Sequence, residues 1–400
     1  MTAERKLRLG VAGLGRAFML MHPTLSQDAR IVLSAAADPS PAARARFQRE
    51  FGGRAYDSVA ALCGDPALDA VYVATPHELH VEHVTLAARA GKHVLVEKPM
   101  ALSLGDCQAM CEMAARAGVQ LLVGHSHSFD APYLRARALI EAGDVGRARM
   151  ITALNCTDFL YRARRPEELD TAQGGGVVWS QAAHQVDIVR LLGGGRVRSV
   201  RAATGAWDRA RPTEGAYSAF LTFDDGAFAT LTYSGYAHFD TDEFQSWIGE
   251  LGDDRRDRRH GETRARLREL GSPEAEAALK ATRTYGAGAA APVGAGHNHF
   301  GFVLVSCDRA DLRPMPHGVV IYGDDAITTE RLPAPAVPRS EVIDELYDAV
   351  VHATPPLHSG AWGLATTEVC LAILRSAKEG RELTMSHQCE TLPRTLSPRG

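Results

Sequence analysis

The sequence predicts an α/β protein. It places an N-terminal Rossmann domain, a doubly wound parallel sheet, ahead of a C-terminal α/β domain with an open, mostly antiparallel sheet. Three observations carry this. Apolar strand-like runs alternate with helical patterns through about residue 125. The turn Gly13-Leu14-Gly15 joins the first strand to the first helix. Past about residue 145 the pattern changes to two-residue alternation broken by Asp-Gly and Gly-Asp turns.

In chain order, "LRLGVAG" and "IVLSAAAD" read as strands with a helical stretch between them. "PAARARFQREFG" is a helix stopped by glycine, followed by the strand "AVYVATP" and the helix "ELHVEHVTLAARAGK". The run "HVLVEKP" is apolar until Glu97-Lys98-Pro99, as expected of a parallel strand covered on both faces that ends at its carboxyl edge. "SLGDCQAMCEMAARAG" is a helix with Ser103 and Gly118 as cap residues, and "VQLLVGH" closes the first sheet. The helix "PYLRARALIEAGDVG" follows. "ARMITALNCTDF", "VRSVRAATGAW", "AYSAFLTFDDGAFATLTYSGYA" and "GVVIYGDDAITTERL" read as strands, and "GGGVVWSQAAHQVDIVRLLGG" as a helix among them. The expected domains are residues 1–128 for a dinucleotide and 129–400 for substrate binding and oligomerisation. A charged, Ala/Gly-rich insertion near 252–296 is expected to be a surface excursion, partly helical and mobile.

Length and charge exclude several classes. A chain of 400 residues can fill two cores. A net charge of -4 gives no electrostatic case for nucleic acid or an anionic membrane. No apolar stretch nears the roughly 20 residues of a membrane span, and the N-terminus lacks the apolar region of a signal peptide. The seven scattered cysteines read as reduced thiols of a cytoplasmic protein. No metal site is expected, since Cys107 and Cys111 lack zinc-type partners and His80 and His83 read as helix-surface residues.

Gly13 permits a tight turn, and Gly15 lets backbone amides approach a pyrophosphate at the helix N-terminus, beside Arg16 and Ala17. Phe18 stands where a third glycine is usual. Asp38 closes the second strand, where a carboxylate accepts ribose hydroxyls and repels a 2′-phosphate. NAD is therefore expected ahead of NADP, with Arg44 and Arg46 as the residues that could weaken the preference. Thr75, Pro76 and His77 form a polar tip at the same sheet edge, suited to the nicotinamide ribose, with His77 contributing through its backbone.

"GVAGLGRA", "VYVATPHELH", "AGKHVLVEKPMAL" and "GGGVVWSQAAHQVDIVRLL", in this order, resemble the Gfo/Idh/MocA oxidoreductases. The resemblance covers nearly the whole chain. It implies oligomers formed through the second sheet, and it puts Lys98 beside the nicotinamide and the reacting carbon. Within the family, "GHSHSFDAPYLRARALI" and "TDFLYRARRPEEL" look closer to dehydrogenases that oxidise 4,5-dihydro-4,5-dihydroxyphthalate to 4,5-dihydroxyphthalate.

Dehydrogenation of a carbinol needs a hydride acceptor, a proton acceptor and contacts that orient the hydroxyl. Family members commonly carry an Asp four residues before the helix histidine. Here His184 is present and Ser180 replaces that Asp, leaving Asp187 one turn later to orient the imidazole. His184 is expected to act as general base and Lys98 to polarise the oxygen, with Glu97 pairing with a cation or the cofactor ribose. Arg162, Arg164 and Arg165 suit the carboxylates of a small aromatic-derived diol, with Glu167 and Glu168 able to neutralise them. His125 and His127 enter the cleft as further substrate contacts; His297 and His299 are weaker candidates. The alternatives are a sugar or cyclitol dehydrogenase and a non-catalytic nucleotide sensor.

Overall fold

A computed structural model describes residues 5–290 and 294–392. Six parallel strands form the first sheet: β1 (Leu7–Ala12), β2 (Ile31–Ala37), β3 (Arg54–Tyr56), β4 (Ala70–Val73), β5 (His93–Val96) and β6 (Leu121–Val123). Their order is β3-β2-β1-β4-β5-β6. The order reverses between β1 and β4, which opens a crevice at the carboxyl edge. Gly13 follows β1, Asp38 follows β2, Thr75 lies just past β4, Lys98 past β5 and His125 past β6. Five residues chosen from the sequence thus arrive at one edge because parallel strands all end on the same side.

Local chemistry sets the helices between these strands. Ser40 and Ser103 each cap a helix by accepting the N–H of the residue three ahead, and Gly52 and Gly118 end those helices in the left-handed region. Both sheet faces are covered. Phe18, Phe47, Tyr72 and Leu95 lie in one apolar layer, and Val84, Val94, Met110 and Val123 in the other.

The second sheet has nine strands: β7 (Ala148–Cys156), β8 (Val197–Gly205), β9 (Ala216–Phe223), β10 (Phe228–Ser234), β11 (Phe302–Cys307), β12 (Ala310–Met315), β13 (Gly318–Gly323), β14 (Ile327–Arg331) and β15 (Leu383–Thr384). Their order is β14-β13-β12-β11-β7-β10-β9-β8-β15. Only β7 and β10 pair in parallel. Helices Ala183–Leu192 and Gly360–Glu379 join the core with Ile151, Leu221, Leu231 and Val303. Met150, Phe220 and Phe228, on the other face, are exposed.

Three features depart from the sequence expectations. Strands β11 and β12 pair where no strand was foreseen. Helix Ser340–Val351 returns to the first sheet, where Val342, Ile343, Leu346 and Tyr347 complete one apolar layer. The insertion is partly helical as expected, with helices Glu262–Leu270 and Pro273–Ala281, but it is docked, not loose: it buries Tyr285 completely. Residues 291–293 of it lie outside the described residues.

Candidate active site

A cleft of about 1090 Å³ opens at the carboxyl edge of the first sheet. Gly15, Arg16, Ala17, Thr75, Pro76 and His77 line one part of it. Glu97, Lys98, His125, His127, Ser180 and His184 line another, and Arg162, Arg164 and Arg165 a third. Of the residues selected from sequence, Gly13, Asp38 and Asp187 stand outside its walls.

The cofactor end has the features a dinucleotide needs. Gly13 has φ +93°, and a Cβ there would meet the carbonyl oxygen of Ala74 at 2.8 Å. A Cβ at Gly15 would meet nothing within 4 Å, so the space over the loop is open. Gly15 heads helix Arg16–Gln27 without a side-chain cap, and its first turn carries no acid. Its free N–H groups can therefore receive phosphate oxygens. Asp38 accepts the N–H groups of Leu14 (2.7 Å) and Ser40 (2.8 Å), which fixes its carboxylate under the loop with further lone pairs free. Arg44 is committed to the carbonyls of Asp38 and Pro39, and Arg46 to that of Tyr285. The Asp38 carboxylate at the ribose position repels a 2′-phosphate, and the residues present fit NAD.

His80 is not a surface residue. It is 1% exposed and bridges the Thr75 carbonyl (2.9 Å) to those of Pro99 (3.1 Å) and Met100 (3.2 Å). His83 contacts the Thr75 hydroxyl at 2.9 Å. Together they pin the tip after β4 to the loop after β5. His77 lines the cleft beside them.

At the reaction end, Lys98 Nζ donates to the Ser180 carbonyl at 3.0 Å. Ser180 belongs to a π-helical turn, Val178–Ala182, that precedes helix Ala183–Leu192. Such a turn leaves a carbonyl without its usual helical donor, and Lys98 supplies one. Burial pushes the Lys98 ammonium below its ordinary range, only partly opposed by Glu97 and Glu250. Glu97 accepts the Tyr72 hydroxyl at 2.5 Å, so one of its oxygens is already taken.

His184 packs in a wall of rings: its centroid lies 4.7 Å from that of His127 and 5.0 Å from that of Phe300. Its Nδ1 is buried with no hydrogen-bond partner. Burial, then Lys98, His127 and His125, depress its pKa well below the imidazole range. The expected orientation of His184 by Asp187 fails. Asp187 instead accepts from Ser128 (3.1 Å), Trp362 Nε1 (3.0 Å) and the Thr366 hydroxyl, which hold it away from the ring. The carboxylate that orients cleft histidines is Asp130, 3.2 Å from His125 Nε2 and 2.7 Å from His127 Nδ1.

The three arginines separate. Arg165 is half exposed and paired with Glu167 and Glu168, so it is neutralised as a carboxylate ligand. Arg162 lies 3.3 Å from Asp158 and 3.8 Å from Glu250. Arg164 stacks on Phe159 at 3.6 Å and donates to its carbonyl, while its Nε is buried without a partner. Burial lowers its pKa to about 10, which still leaves it charged. His297 and His299 turn to the carbonyls of Pro333 and Ile248.

Sequence reasoning missed Asp130, Glu250, Phe300 and Arg339. Burial raises the Glu250 carboxyl, but Arg162, His127 and Arg255 outweigh it and hold it below its usual range. Arg339 is buried at φ +55°, a conformation that favours glycine, and donates to the Leu20 carbonyl at 2.5 Å. Only Asp130 left a trace, in the "HSHSFD" spacing. No described helix is long and apolar enough to cross a membrane.

A parallel sheet with an uncapped glycine-loop helix and a partly buried lysine at the same edge defines a dinucleotide-dependent oxidoreductase. Residues 7–125 match "Oxidoreductase family, NAD-binding Rossmann fold", and residues 133–252 match "GFO/IDH/MocA C-terminal domain". The chain belongs to the Gfo/Idh/MocA oxidoreductase family, and NAD is its cofactor. It is similar to 1-carboxy-3-chloro-3,4-dihydroxycyclohexa-1,5-diene dehydrogenase of Comamonas testosteroni, with 47% identity over 93% of this chain and 95% of the relative. Similarity to myo-inositol 2-dehydrogenase of Thermotoga maritima is 30% over 48% of this chain and 57% of that one. A solved structure from Bordetella bronchiseptica RB50 superposes with a TM-score of 0.90 at 42% identity, covering 95% of this chain and all of that one.

Proposed function

We propose that the protein oxidises a cis-dihydrodiol bearing ring carboxylate, with 4,5-dihydro-4,5-dihydroxyphthalate as the substrate of choice. The observation that carries this is Arg164, a partly buried cation 3.7 Å from Glu168 whose Nε has no partner among the described residues, lining the same cleft as Lys98 and His184. The Comamonas relative, whose name describes a carboxylated dihydroxycyclohexadiene, supports it. The His127, His184 and Phe300 rings offer flat surfaces to a planar diene.

NAD supplies the hydride acceptor. The residues of this chain position the carbinol and move its proton. Lys98 Nζ, with one hydrogen held by the Ser180 carbonyl, points its remaining capacity to the cleft. Its lowered pKa favours a neutral amine that takes the hydroxyl proton. His184, from sequence the expected base, is buried where imidazolium is disfavoured, so in this reading it stays neutral and hydrogen-bonds the diol. Loss of the carbinol hydride and the hydroxyl proton yields a hydroxy-enone, whose tautomerisation to the catechol draws the reaction forward.

Arg162 and Arg164 hold ring carboxylate. The exposed Met150, Phe220 and Phe228 fit a homo-oligomer formed through the second sheet. The seven unpaired cysteines fit a reducing cytoplasm. NADH formation with carboxylated dihydrodiols, an uncharged dihydrodiol and inositols tests the reading. Fastest turnover is expected with a carboxylated dihydrodiol; preference for an inositol overturns it.

A further inference from the structure

The inserted segment ties the two halves of the molecule together across the cleft. On the C-terminal side, the buried Glu276 pairs with Arg211 at 2.8 Å and accepts the Arg164 N–H at 2.6 Å, and Lys280 pairs with Glu168. On the Rossmann side, the Tyr285 hydroxyl donates to Glu50 at 2.8 Å and its carbonyl accepts from Arg46 at 2.8 Å. Its ring meets Phe18 edge-on at 5.1 Å. Between these anchors, Lys280 and Arg283 line the same cleft as Gly15 and Arg16.

Phe18 and Tyr285 touch, and two residues before each stands an arginine: Arg16 on the glycine-loop helix and Arg283 on the insertion. Among the described residues neither guanidinium has a hydrogen-bond or ion-pair partner. Burial, then the charge of Arg283, lowers the pKa of Arg16; burial, then Arg266 and Arg162, lowers that of Arg283. Like charges gathered in a cleft without a counter-ion are unfavourable until an anion arrives. The anion belonging at an uncapped glycine-loop helix is a pyrophosphate, and its two charges match two guanidiniums.

We propose that Arg283 is a cofactor-binding residue that acts with Arg16 on the pyrophosphate of NAD, so that the insertion completes the dinucleotide site. The proposal stands on NAD binding alone, so a failed substrate assignment leaves it intact.

The test uses full-length Arg283→Ala and Arg283→Lys, each first matched to the parent in thermal unfolding without cofactor. ADP-ribose, which carries the pyrophosphate without nicotinamide, and adenosine, which carries neither, are titrated by calorimetry. Arg283→Ala is expected to weaken ADP-ribose about tenfold and to leave adenosine unchanged, with Arg283→Lys recovering most of the loss. Unchanged ADP-ribose affinity in Arg283→Ala overturns the proposal. So does an equal loss for adenosine, which would mean that the strap only shapes the adenosine pocket.

Discussion

The Lys98 side chain and the Ser180 carbonyl, 3.0 Å apart, join the segment just past strand β5 to the π-helical turn ahead of His184. The contact aims a partly buried lysine by a neutral acceptor. A carboxylate in that place would stabilise the ammonium; a carbonyl does so less, which leaves the amine freer to act as a base.

Removing that amine is expected to separate chemistry from binding. Lys98→Ala should lower turnover by about 10²- to 10⁴-fold while NADH affinity, followed by fluorescence, stays within about threefold. His184→Asn should cost less than Lys98→Ala. A larger loss at His184 would return the role of base to the imidazole.

Substrate charge should be read by Arg164. Arg164→Ala is expected to raise KM about tenfold for a carboxylated dihydrodiol and to change KM little for an uncharged one. Steady-state kinetics on both substrates check this. Equal effects would place Arg164 in packing against Phe159 instead.

Asp130 holds two imidazoles, so its loss should be felt twice. Asp130→Ala leaves His125 and His127 unpaired in a buried site, at a cost of about 1–3 kcal/mol in urea unfolding, together with a raised KM. A loss of stability with unaltered KM would show that the pair only supports the fold.

Acid should destabilise the protein through the same pair. Burial, opposed in part by Asp130, lowers His125 to about 3, and burial lowers His127 to about 3. The unfolded chain protonates both below about pH 6.5. Between those values the unfolded state binds more protons, so stability falls as pH falls, by up to about 1.4 kcal/mol per group per pH unit. Unfolding free energies at pH 7 and 5.5 should show this slope, and replacing both histidines by Asn should make it shallower, the buried His80 and His184 keeping the remainder.

What the sequence displays best is whatever depends on order along the chain. Gly13, Asp38, Thr75 and Lys98 could be placed because each terminates a parallel strand. Directions set by remote partners were not visible. Asp187 lies one turn from His184, yet its carboxylate is turned by Trp362 and Thr366, donors on a helix far downstream. The insertion misled through its composition: Ala, Gly and charge suggest a loose surface, while the single large ring of Tyr285 decides where it docks. Glu250 sat at the margin of that segment and drew no notice.

The return of helix Ser340–Val351 to the first sheet bears on synthesis. Until that helix leaves the ribosome, the layer holding Leu9, Phe18 and Leu95 lacks Val342, Ile343 and Leu346, and stays open to water. The part of the chain made first is therefore sealed nearly last. A nascent chain stalled before residue 340 would present a sticky half-finished sheet to chaperones, and the two halves cannot mature as separate beads.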